Sequence, residues 1–170
     1  MVEVAGLAFG THDGDAGTFG AGVFASYAIG DAMAVAMLLE TTGERQAAVG
    51  PVIATYRTSR LGVGVSVRRR WGRWLGDAGL FPELTVLTAK GQPLVISRSV
   101  TTWGAALDVR GRLGLVFGRF VPFLFAGGSG ALRAESLTLD DYPKASTTLS
   151  RWNLSLGAGL AVLFGTKENR

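Results

Sequence analysis

From Trp152 to Phe164 large and small side chains alternate. Trp152, Leu154, Leu156, Ala158, Leu160, Val162 and Phe164 fall on one face; Asn153, Ser155, Gly157, Gly159 and Ala161 fall on the other, where Leu163 is the one large apolar residue. A period of two is the signature of a β-strand, whose successive side chains point to opposite sides. At 13 residues the run is longer than a soluble strand of about 5–6 and long enough to cross a bilayer at a tilt, which takes about 9–11. A bulky face and a small or polar face suit a wall between lipid and a crowded lumen.

The same alternation recurs upstream. Residues 18–28 set Phe19, Ala21, Val23, Ala25 and Tyr27 against Gly20, Gly22, Phe24 and Ser26. Residues 32–41 place Met33, Val35, Met37 and Leu39 opposite Ala34, Ala36, Leu38 and Glu40. In 61–71, Leu61, Val63, Val65 and Val67 oppose Gly62, Gly64, Ser66, Arg68 and Arg70. Residues 79–89 and 99–113 follow suit: Leu80, Leu84 and Val86 oppose Glu83 and Thr85, and Trp103, Ala105, Leu107 and Val109 oppose Gly104, Ala106, Asp108, Arg110 and Arg112. Residues 2–10 form a weak first segment, 47–57 is apolar but alternates poorly, with Pro51 suggesting a bulge or irregularity, and 117–133 is too apolar for its faces to be assigned. No helical period is sustained. Bacterial barrels have even strand counts, so these nine segments predict eight strands if 2–10 is peripheral, or ten if 90–112 holds two. The eight-stranded count is preferred, because it puts the long connections 89–98 and 134–150 on one side. No linker interrupts the chain, and 1–170 reads as one domain.

Composition sharpens this picture. Hydrophobic residues make up 48% and charged residues 18% of the 170, and mean hydropathy is +0.30, yet no run of about 18 apolar residues offers a transmembrane helix. A chain this apolar has either a large soluble core or a barrel that hides its apolar surface in alternation. The 25 glycines include many inside strand segments, where glycine weakens a strand; a narrow barrel interior gives them a reason. Cysteine is absent, which removes disulfides and thiolate metal sites. Met1-Val-Glu-Val begins no basic and apolar leader, so an exported barrel is expected here in mature form.

These features resemble the small eight-stranded outer-membrane β-barrels of Gram-negative bacteria. The resemblance is carried by the final strand, where Ser155, Gly157, Leu160, Val162 and Phe164 match the barrel-assembly signal, and by the turn and rising strand Phe117-Gly-Arg-Phe-Val-Pro-Phe-Leu-Phe-Ala-Gly. Family members usually end at the aromatic residue, whereas Gly165 to Arg170 continue beyond Phe164. The resemblance implies an all-β, single antiparallel up-and-down transmembrane barrel in the outer membrane. Outer-membrane lipid and the barrel-assembly machinery would be its partners.

The charges on the small faces are Glu40, Arg68, Arg70, Glu83, Asp108, Arg110 and Arg112. Inside a barrel they must pair, because lone buried charges are costly; a lumen network of arginine with glutamate and aspartate is expected. A side-chain-filled interior is favoured over a narrow polar pathway, since eight strands leave just enough room for side chains. Trp71, Trp74, Trp103, Trp152 and Tyr27, with Tyr56, are expected at membrane interfaces, where the ring is apolar and its N–H or O–H seeks water. Arg68 to Trp74 alternates basic and aromatic residues, but scattered charge elsewhere argues against nucleic acid, and the segment reads as a contact for lipid head groups. His12, the single histidine, with Asp13 and Asp15 could support a lipid-modifying hydrolase; no serine is placed beside it, so the leading reading is non-enzymatic. No metal site and no cofactor is expected. The loop 134–150 is the candidate surface for a protein partner. A soluble barrel holding an apolar ligand is the remaining alternative; it would turn the bulky faces inward.

Overall fold

In a computed structural model, residues 1–13, 16–50, 52–91, 99–134, 136–139 and 142–165 are described. They contain strands and no helix. The strands are β1 (Val2–His12), β2 (Gly17–Ile29), β3 (Met33–Thr42), β4 (Arg45–Val49), β5 (Val52–Trp71), β6 (Trp74–Gly91), β7 (Ser99–Leu115), β8 (Phe120–Ala131), β9 (Ser136–Leu139), β10 (Tyr142–Thr148) and β11 (Trp152–Phe164). Eight of them form a closed antiparallel ring in the order β1, β2, β3, β5, β6, β7, β8, β11. β11 returns to β1 with a register running from Val2 against Phe164 to His12 against Leu154. Closure leaves no free edge, as a wall in hydrocarbon requires.

The count of eight agrees with expectation, but the strands making it up differ. Residues 2–10 are not peripheral: they lie in β1, the partner of the last strand. The segments 47–57 and 61–71 are not two barrel strands. β5 runs unbroken through Thr58-Ser59-Arg60, and its upper part pairs with the short β4. Those polar residues interrupt the apolar run without disturbing its parity, because this part of the strand stands above the apolar band. Pro51 lies outside the described residues, between β4 and β5.

The chain meanders, so its connections alternate between two ends. Residues 30–32, 72–73 and 116–119 make tight turns at the end where β1 begins and β11 finishes; the β9–β10 hairpin lies at the other. Gly72, at φ 57°, supplies the left-handed residue that a two-residue hairpin demands.

The bulky faces point outward. Leu154 is 67% exposed and Val65 50%, while Arg68 and Arg110 are each 6% exposed. This orientation is opposite to that of a soluble barrel around an apolar ligand. Among the described residues, Arg57 and Lys90 face out above the apolar band and Arg69 at its lower edge, and side chains such as Val23, Met37, Leu61, Val63, Leu84 and Leu160 fill the surface between. In β8, Val121, Phe123 and Phe125 point in and Phe120 and Leu124 point out, so both faces carry large residues and alternation gave no contrast there.

Candidate lumen and membrane-facing surface

Inward glycines and inward phenylalanines occupy the interior together. Phe9, Phe24, Phe81, Phe123 and Phe125 are buried in one cluster. Phe9 meets Phe125 edge-on at 6.2 Å, and Phe24 meets Phe81 at 6.3 Å, geometries that aromatic quadrupoles favour. A Cβ added at Gly157 would lie 2.7 Å from the Phe125 ring, and one at Gly79 would lie 2.7 Å from the Phe81 ring. The glycines therefore make room for rings projecting from the neighbouring strand, as at Gly157, or from two residues along their own, as at Gly79.

Charged side chains lie below and above this aromatic layer. At the turn end Glu3, fully buried, accepts from Arg68 Nη2 at 2.6 Å and pairs with Arg112. Arg112 also pairs with Asp77, its Nε donating to Oδ2 at 3.0 Å. Arg68 further donates to Ser26 Oγ at 3.1 Å. Two arginines and two acids leave this group formally neutral. Higher in the lumen Arg110 donates to Glu40 at 2.6 Å and lies 3.4 Å from Asp108, and Arg60 donates to Ser129 Oγ at 2.6 Å. Glu83 is buried there, and neither of its carboxylate oxygens has a hydrogen-bond partner among the described residues. The guanidinium of Arg110 stacks 4.7 Å from the Phe125 ring centre, and that of Arg112 lies 4.8 Å from both Phe24 and Phe123. Cation–π contact thus ties the charged layers to the aromatic one.

A third group closes the loop end. Asp13 accepts from Arg45 Nη1 at 2.6 Å and from the Tyr56 hydroxyl at 2.9 Å. Arg45 also donates to Thr11 Oγ1 and Asn153 Oδ1, both at 3.1 Å, and Thr11 donates to Asn153. Burial, with the Asp13 carboxylate beside it, pushes the Tyr56 phenol up to about 12. Two small spaces lie in the lumen among the described residues. About 60 Å³ lies among the Asp13, Arg45 and Arg60 side chains, and about 10 Å³ lies between Arg110, Arg112 and the phenylalanines, the latter scarcely enough for one water.

Of the residues singled out in the sequence, Glu40, Arg68, Asp108, Arg110 and Arg112 make lumen ion pairs, and Glu83 is buried among them. Arg70 stands apart: it is exposed, and its Nε donates to the Gly72 carbonyl at 3.0 Å. It shares their parity but sits one step from the strand's end, where the wall no longer encloses it. Glu3, Asp13, Arg45, Arg60 and Asp77 were not anticipated. Glu3 between Val2 and Val4, and Asp77 two residues from Leu75 and Gly79, carried the signal of inward parity.

Trp71, Trp74 and Tyr27 are exposed toward the turn end, and Trp103 and Trp152 toward the loop end. Tyr56 is a correction: it is buried on the inner face, held by Asp13. In β11 the expected assembly residues divide by face. Ser155 and Gly157 turn inward, and Leu160, Val162 and Phe164 turn outward, Val162 half-buried. His12 is exposed on the outer face at the loop end, whereas Asp13 turns inside to Arg45 and Ser155 turns inside on β11. Asp15 lies outside the described residues.

No family model and no curated protein sequence matches the chain. Solved structures do. The chain is similar to a major outer membrane protein of Thermus thermophilus (TM-score 0.67, 12% identity, covering 96% of this chain and 100% of that one). It is similar to Neisserial surface protein A, NspA (TM-score 0.64, 12% identity, 96% of each chain). It is also similar to Ail, the attachment invasion locus protein of Yersinia pestis (TM-score 0.53, 16% identity, 94% and 95%), which has been solved in complex with the heparin analogue sucrose octasulfate as well. The chain has the closed eight-stranded fold of the small outer-membrane β-barrels, with the apolar exterior that a place in that membrane requires.

Proposed function

We propose that this protein is a non-enzymatic barrel of the bacterial outer membrane, a structural and surface-exposed element whose lumen is filled by its own side chains. The observation that carries this reading is the pairing of an apolar exterior with an interior blocked by five phenylalanines and three layers of hydrogen-bonded charge. A conducting pore of this strand number would need an open column through the interior, and the spaces of about 60 and 10 Å³ found among the described residues are too small to make one. The lumen network holds the wall in register and gives no path for solute. The strand β11 presents the assembly signal, with the barrel-assembly machinery as its reader. The loop 134–150, which carries the β9–β10 hairpin at the end away from the short turns, is the surface offered to a protein partner.

The test is reconstitution of the full chain in liposomes. Heat-modifiable gel migration and protease protection of the strands are expected, with no conductance in a planar bilayer. Steady single-channel conductance would refute the filled lumen. Replacing His12 by Asn is expected to leave the lipid A profile of producing cells unchanged; a lost lipid modification would favour the enzyme.

A further inference from the structure

We infer that the outer wall carries a site for one anionic phospholipid, in the leaflet that faces the short turns. The inference rests on the reading of the barrel as membrane-spanning and deepens it. Across β5, β6, β7 and β8 the outer surface is hollowed into a groove of about 630 Å³. Its floor is made by Gly76, Ala78 and Gly111, and its sides by Trp71, Leu113 and Leu124. The Trp71 ring leans over Gly76, 2.7 Å from where a Cβ would stand, so that glycine lets the indole form a wall. A Cβ at Gly111 would meet nothing within 4 Å. The floor is therefore open, apolar and shaped for an acyl chain.

The charge at the groove's turn end identifies the head group. Arg69 lines the groove and pairs in register with Gly76. Arg70 and Arg73 follow on the same hairpin. Arg119 lies on the next turn, which is bound to the first by the Val116 amide donating to the Arg73 carbonyl at 2.8 Å. All four arginines are exposed, and Arg69, Arg73 and Arg119 form no ion pair with a described acid. Among the described residues Asp31 is the exposed acid of this rim. A phosphate anchored to a glycerol backbone would sit on Arg69 and Arg73 beside the indoles of Trp71 and Trp74, with one chain in the groove. Basic side chains at a membrane surface favour anionic lipid, and arginine presents several donors to phosphate.

The test places the full-length protein in nanodiscs of equal phosphatidylglycerol and phosphatidylcholine with matched chains. Lipid retained on the protein is then counted by native mass spectrometry. Wild type is expected to retain phosphatidylglycerol preferentially, and each of R69Q and R73Q to weaken that preference about fivefold. G111L fills the groove without touching an arginine and is expected to abolish retention of either lipid. Its heat-modifiable migration should stay that of wild type. Equal retention of the two lipids by inserted wild type, or a retention of phosphatidylglycerol unchanged in R69Q, R73Q and G111L alike, would overturn the site while leaving the membrane barrel standing. Failure of wild type to insert at all would overturn both.

Discussion

Glu3 is the most exacting test of the lumen chemistry. Its carboxylate is fully buried and faces two guanidiniums, Arg68 and Arg112. Replacing it with Gln keeps the shape and removes one negative charge. Asp77 is then the remaining counter-charge to two buried arginines, at 3.5 Å from Arg68 and closer to Arg112. Each lost attraction is worth about 4 kcal/mol at an effective dielectric of about 20, so two partners give roughly 8 kcal/mol gross. Relief from desolvating the carboxylate returns several kcal/mol, and breaking a buried pair from one side typically costs about 3–5 kcal/mol net. E3Q should lower the unfolding free energy by that amount, read from denaturant unfolding in lipid vesicles followed by tryptophan fluorescence. Adding R68M to E3Q restores neutrality and should recover part of the loss. An E3Q midpoint equal to wild type, or a double variant as unstable as the two single losses combined, would refute the account of the network as mutually compensating buried charge.

Further outcomes follow from the same geometry. G157A forces a methyl group against the Phe125 ring and the Ala8 carbonyl and should cost at least about 1–3 kcal/mol, whereas G6A, with nothing within 4 Å of the new methyl, should lie within about 0.5 kcal/mol of wild type; both are read by unfolding of protein refolded in vitro. Tyr56 should ionise near 12 and not near the ordinary 10: Y56F should remove a phenolate absorbance that grows in at that high pH. Because folding raises this pKa, the protonated phenol's contribution to stability is complete below about pH 10 and disappears as pH climbs through about 12. Replacing residues 136–148 by a short glycine-serine turn should leave heat-modifiable migration unchanged, because β8 and β11 pair from Gly130 and Trp152 downward without that hairpin.

The alternation of side chains determined, without any coordinates, which residues face out and which face in. Parity is local: each strand's own sequence assigns Leu154 to lipid and Arg68 to the lumen, whatever lies beside it. It failed where local contrast vanished, as in β8 with phenylalanine on both faces, where a polar stretch resembled a strand end, as at Thr58-Ser59-Arg60, and where the wall no longer encloses an inward position, as at Arg70. Partnership within the lumen was decided by tertiary structure. Arg68 reaches Glu3 across 65 positions and Arg112 reaches it across 109, because the closing register of β1 against β11 and the stagger around the ring set which inward residues share a level. A glycine opposite a phenylalanine on the next strand, or an arginine beside an acid from across the lumen, is a property of that closed register, and no strand carries it alone.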